Sequence, residues 1–90
     1  MKVLIIDDDK LVSLSLKTIL EASGQVEIAG IGNSGMEAVE LYDSLAPDIL
    51  LMDIRMEGMT GLEAGVHILS AHPEAKILFL TTFSDDEYIV

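Results

Sequence analysis

Three short runs of unbroken apolar residues constrain this chain more than any other feature. Val3-Leu4-Ile5-Ile6 runs into Asp7-Asp8-Asp9, Ile49-Leu50-Leu51-Met52 into Asp53, and Ile77-Leu78-Phe79-Leu80 into Thr81-Thr82. A run of four with no polar alternation suits a strand covered on both faces, as in a parallel sheet between helix layers. Each run therefore predicts a buried strand, and each delivers an oxygen-bearing side chain at its carboxyl end. Residues 26–31 alternate in part and predict an edge strand.

Helical patterns fill the gaps. Residues 10–22 gather Val12, Leu16, Ile19 and Leu20 on one face, with Gly24 as a stop signal. Residues 35–46 gather Ala38, Tyr42, Leu45 and Ala46, ended by Pro47. Residues 61–71 gather Leu62, Val66 and Leu69, ended by His72-Pro73. Ser34-x-x-Glu37, Thr60-x-x-Glu63 and Ser84-x-x-Glu87 read as capping boxes, in which hydroxyl and carboxylate satisfy opposite free N–H groups. Asp9 reads as the cap of the first helix. Strands at 2–7, 26–31, 48–52 and 76–80 thus alternate with helices, and a fourth helix begins at Ser84 or Asp85. Strict alternation predicts a doubly wound parallel α/β sheet with right-handed crossovers.

Composition removes several function classes. Ninety residues allow one small domain, and with half of them apolar the chain is not disordered, despite a net charge of −11. The absence of cysteine removes disulfides and thiolate-bound zinc. An isoelectric point near 4.2 argues against nucleic-acid binding by this segment, since phosphates would be repelled. No apolar run approaches the roughly 20 residues that cross a bilayer, and acids interrupt the opening MKVLIIDDD where a signal peptide would stay apolar. A cytoplasmic protein without membrane contact is expected.

In open parallel sheets, ligands bind beyond the carboxyl ends of the strands. The residues expected there are Asp7, Asp8, Asp53, Thr81 and Thr82. Converging carboxylates raise one another's pKa unless a cation neutralises them, and all-oxygen donors favour magnesium, or manganese, over zinc. With two oxygens neutralised, Asp53 can act as a nucleophile toward phosphorus. Taken singly, each of these residues reads equally as a cap or a turn; together they form a compatible set.

VLIIDDD, LLMDIRMEGMTGLEA and ILFLTTFSDDEY, in this order and spacing, resemble the receiver domain of a bacterial two-component response regulator. GLEA and LTTFSDDEY are similar to the NarL/FixJ subfamily, whose receivers precede a LuxR-type DNA-binding domain. The resemblance spans the chain. It implies a flavodoxin-like fold with strand order 2-1-3-4-5, of which residues 1–90 would lack the fifth strand, the fifth helix and the output domain. It implies that a sensor histidine kinase transfers a phosphoryl group to Asp53 with Mg2+, switching a transcriptional output. Asp8 would ligate the metal directly, Asp7 through water, and Arg55 through its backbone carbonyl. Thr81 would be the switch hydroxyl, Thr82 a backbone contact to the phosphoryl group, and Gly61 the glycine that follows the acceptor.

Two positions depart from the family pattern. Glu57 stands where a proline is usual, and the lysine at the end of a fifth strand has no counterpart. With ILFL apolar along a free edge, the segment is expected to belong to a longer polypeptide, or to associate through that edge or the fourth-helix region as a homodimer or swapped assembly.

Other readings compete. Gly30-x-Gly32-x-x-Gly35 formally satisfies a dinucleotide fingerprint, but Glu37 would repel a pyrophosphate there. An aspartate-nucleophile phosphatase would want an acid where Arg55 stands. A pseudo-receiver acting only as an interaction module is the remaining alternative. His67 and His72 read as surface residues, Met52, Met56 and Met59 as packing, and Phe83 as a partner contact.

Overall fold

The computed structural model describes residues 1–80. The elements are β1 (Lys2–Ile6), α1 (Lys10–Glu21), β2 (Glu27–Gly32), α2 (Gly35–Leu45), β3 (Ile49–Asp53), α3 (Gly61–Ala71) and β4 (Ile77–Leu80). All strand pairs are parallel, in the order β2-β1-β3-β4, which matches the expected placement of the first four strands. None of these helices is long and apolar enough to cross a membrane.

β1 is buried on both faces, as its apolar run predicts, whereas β3 buries Leu50 and Met52 on one face and only half-buries Ile49 and Leu51 on the other. Leu4, Ile6, Leu50 and Met52 form one core with Ala38 and Tyr42 of α2, Ala64 and Ile68 of α3, and Met56. Val3 and Ile5 alternate onto the opposite side of β1 and are equally buried. There α1 packs against β1 and β2.

Local signals set the helix starts. Asp9 caps α1 by accepting the N–H groups of Leu11 and Val12 at 2.9 and 3.4 Å. Thr60 and Glu63 close the full reciprocal box on α3. The Ser34 box is offset: Ser34 accepts from the Glu37 N–H, but the Glu37 carboxylate takes the N–H of Asn33. The box at Ser84, and the fourth helix it implies, lie outside the described residues. At the end of α2, Ala46 adopts a left-handed conformation (φ 46°) ahead of Pro47, which cannot extend a helix.

The apolar faces need two corrections. In α3 the buried residues are Gly61, Ala64, Gly65 and Ile68, whereas Leu62, Val66 and Leu69 are exposed. Both sets recur at helical spacing, and close approach decides between them. A side chain at Gly61 would overlap the Asp53 carbonyl, and one at Gly65 would lie 3.0 Å from the Phe79 ring, so small residues face the sheet. In α1, Ile19 is likewise exposed rather than aligned with the half-buried Val12, Leu16 and Leu20.

β4 departs from the expectation of two covered faces. Leu78 and Phe79 are 58% and 39% exposed. Among the described residues only β3 pairs with β4, and α3 reaches it through Gly65 over the Phe79 ring.

The corrected face of α3 predicts a contrast between neighbours. Ile68, 1% exposed, should cost about 2–5 kcal/mol when cut to Ala, as a buried residue leaving a cavity. Val66→Ala, at an exposed position, should change stability by about 0.5 kcal/mol or less. Denaturant titration of both variants checks this, and equal losses would restore the original face.

Candidate functional site

β1 and β3 pair in parallel as neighbours, with Ile6 opposite Met52, so their carboxyl ends lie side by side. Asp53 is the last residue of β3, and Asp7 and Asp8 follow β1 directly. One carboxylate oxygen from each of Asp7, Asp8 and Asp53 falls within a 4.8 Å cluster. Asp7 and Asp53 are buried and Asp8 is exposed, so the cluster opens to solvent through Asp8.

Backbone donors orient the two buried acids. The Asp7 N–H closes the β1–β2 ladder on the Gly32 carbonyl at 3.1 Å. Asp7 Oδ1 accepts the Asp9 N–H at 2.8 Å, and Asp53 Oδ1 accepts the Arg55 N–H at 3.3 Å. Asp7 Oδ2 is buried and has no partner.

Burial raises the pKa of Asp7 first, and the nearby charges of Asp53, Asp8 and Asp9 push it further; the Asp9 N–H opposes them. Burial likewise raises Asp53, with Asp8 adding repulsion and the Arg55 N–H pulling the other way. Three carboxylates held together, with a buried oxygen left unpaired, fit a hard divalent cation of the magnesium type. Among the described residues, Asp7, Asp8 and Asp53 are the side chains able to hold it.

The loop after Asp53 shapes the approach. A groove of about 480 Å³ is lined by Asp8, Ile54, Arg55, Met56, Glu57, Thr60 and Leu62. Arg55 lines this groove with Asp8, and Glu57 adds an acid to its wall. Gly58 turns this loop in the left-handed region (φ 77°). The Gly61 N–H donates to the Ile54 carbonyl at 2.8 Å, anchoring the start of α3 beside the end of β3. Leu80, opposite Asp53 in the sheet, brings β4 to the same edge. Thr81 and Thr82, the expected hydroxyl and backbone contacts, lie outside the described residues, as does Phe83.

The glycine fingerprint has a packing explanation. A side chain at Gly30 would press on Leu45, one at Gly32 on Ile6 and Leu41, and one at Gly35 on Met59. Gly30 and Gly32 let α2 approach β2 on the edge of the sheet, and Gly35 lets the β3–α3 loop approach the start of α2. His72 joins Asp43 at 3.3 Å and lies tilted on Tyr42, a surface tie between α2 and the end of α3. One residue was not legible beforehand. Ser13 of α1 is buried beside Asp7, with its hydroxyl unpaired. A serine in a helical run carries no signal of that kind.

Residues 3–90 match the family model described as the response regulator receiver domain. The transcriptional regulatory protein LiaR of Bacillus subtilis is 42% identical over 88 residues, covering 98% of this chain and 42% of that protein. The response regulator protein VraR of Staphylococcus aureus is 39% identical over the same shares. The chain therefore spans about two fifths of the length of these relatives. The response regulator domain of Thermotoga maritima CheB superposes with a TM-score of 0.87 at 28% identity, covering 96% of this chain and 63% of that one. A LuxR-family DNA-binding response regulator from Staphylococcus aureus gives a TM-score of 0.84 at 29% identity, covering 97% and 72%.

The raised pKa of Asp7 sets a pH signature. A carboxyl whose folded pKa exceeds its unfolded value supports the fold while protonated, and that support is lost as pH rises through the folded pKa. Asp7→Asn should therefore melt above wild type at pH 7 in chelator, by about 4–8 °C for each kcal/mol relieved. The gap should close as pH falls below the ordinary value of 3.8. Thermal melts across that range check the sign, and a lower midpoint at pH 7 would contradict it.

Proposed function

The chain belongs to the response regulator receiver domain family, and from that premise we propose that Asp53 is its phosphoacceptor. The observation that carries this reading is the convergence of Asp7, Asp8 and Asp53 within 4.8 Å at the end of the central strands. Asp53 alone of the three belongs to a strand, which fixes its backbone, while the Arg55 N–H orients its carboxylate.

In the proposed reaction, an Asp53 oxygen attacks the phosphorus of a phosphohistidine on a sensor kinase. A P–O bond forms as the P–N bond breaks, and the departing imidazole takes up a proton. Magnesium, when bound, supplies the charge that lets the attacking carboxylate and the phosphoryl oxygens share one crevice. Asp8 would hold the ion directly and Asp7 through water, with the Arg55 carbonyl completing the protein's share. The open groove beside Asp8 and Glu57 is the approach for the donor. Thr81 would follow the phosphoryl group as the switch hydroxyl, with Thr82 as a backbone contact.

For the whole protein, we assign a DNA-binding transcriptional output, in line with the names of the relatives, and place it in the cytoplasm on the sequence expectation. The present segment, at −11, would take no direct part in DNA contact. Self-association would use the outer edge of β4, which has no partner strand among the described residues, or the region after Ser84.

Two measurements test the assignment. Incubated with magnesium and a phosphorylated sensor kinase, the protein should gain an acid-labile phosphoryl group that Asp53→Asn lacks entirely; an adduct surviving in that variant would move the acceptor elsewhere. Magnesium at millimolar concentration should raise the thermal midpoint of wild type by mass action, and Asp8→Asn should lose most of that shift. An undiminished shift would remove Asp8 from the site.

A further inference from the structure

A second cavity touches the carboxylate cluster from the other side. It measures about 230 Å³ and is lined by Asp7, Asp8, Lys10, Ser13, Asn33 and Glu37, with Ile31 and Gly32 as its apolar floor. Asp53 is not among its walls. The strand order explains the separation: β2 and β3 flank β1 on opposite sides, so a cavity toward β2 lies across Asp7 from Asp53.

The walls are built for a guest. Ser13 is 1% exposed, and its hydroxyl has no partner. Two other helix hydroxyls bond back to the preceding turn, Thr18 to the Leu14 carbonyl at 3.0 Å and Ser70 to the Val66 carbonyl at 2.9 Å. Ser13 does not, although its own N–H bonds the Asp9 carbonyl. Asp7, whose Oδ2 is the other buried, unpaired side-chain oxygen among the described residues, also lines the cavity. Glu37 commits Oε1 to the Asn33 N–H at 3.0 Å, which leaves Oε2 for a further ligand. Three carboxylates face one ammonium, Lys10, so the cavity attracts a positive guest. Its volume is several times the roughly 30 Å³ of a water molecule, enough for an ion with part of its hydration shell.

We propose that this cavity is a second cation site, taking a partly hydrated hard cation between the Asp7 carboxylate, the Ser13 hydroxyl and Glu37. All its donors are oxygens, and the hydroxyl of Ser13 is a neutral one beside the carboxylates of Asp7 and Glu37. That mixture suits a divalent ion with retained waters or a monovalent ion such as potassium. Asp7 borders both sites. The proposal stands on the walls of the cavity, independently of whether Asp53 accepts a phosphoryl group.

Manganese, counted by the loss of its free-ion electron paramagnetic resonance signal, is the probe. Wild type should bind in two classes. Asp53→Asn should weaken one of them, while Ser13→Ala and Glu37→Gln each weaken the other about tenfold, as expected for one lost ligand. If only one manganese class is found, potassium is the remaining guest. Potassium chloride should then raise the thermal midpoint of wild type above that in choline chloride, and Ser13→Ala should abolish the difference. Ser13→Ala favours the helix, so it keeps the fold intact. A second manganese class indifferent to both Ser13→Ala and Glu37→Gln would overturn the proposal. So would a single class with no potassium effect, which leaves the cavity to water.

Discussion

The mutual repulsion of Asp7, Asp8 and Asp53 is the constraint around which this domain is arranged. Parallel pairing of β1 with β3 leaves their carboxyl ends no freedom to separate, so the acids meet by construction. Burial then removes the water that would screen them, and both buried members sit above their ordinary pKa. Such a cluster opposes folding when empty and favours a cation when one is present. On the proposed reading, the same physics would make an Asp53 oxygen available for phosphorus chemistry only when positive charge is at hand.

Much of the local structure serves to hold those acids in place. Asp9 caps α1 with its side chain and holds Asp7 with its own N–H, tying the helix start to the acid pair. Across the cleft, the Arg55 N–H orients Asp53, and the glycine at 61 lets α3 rest against the Asp53 backbone. Met59 closes over Gly35, so the loop that follows Asp53 leans on the start of α2. A change of charge at Asp53 is therefore positioned to act on α3 and α2 through a few direct contacts. The exposed apolar residues Leu62, Val66 and Leu69 lie on the outer face of that same helix.

The apolar runs at 3–6 and 49–52 made the central strands legible because burial on both faces leaves an unmistakable pattern. The acids were legible for the same reason: each ends a run, and parallel pairing dictates where run ends meet. Helix starts followed from caps that act within one turn. The faces of α3 did not follow, because Leu62-Val66-Leu69 and Gly61-Ala64-Ile68 have the same period. Only the distance between α3 and the sheet, set by a backbone contact at Asp53, chooses the small residues. Ile19 of α1 and the outward residues of β4 escape the pattern in a related way, since periodicity reports a surface and not what covers it. Ser13 was silent because its burial depends on α1, β1 and the β2–α2 loop meeting at one place. The roles of Thr81 and Thr82 rest on the family resemblance alone.

The most direct test of the central claim is chemical trapping of the acceptor. An aspartyl phosphate is a mixed anhydride, and borohydride reduces it at carbon to leave homoserine. After phosphotransfer in magnesium and borohydride treatment, peptide mapping should find homoserine at position 53 and unmodified aspartate at positions 7 and 8. Homoserine at another position, or none while phosphate is incorporated, would contradict the account.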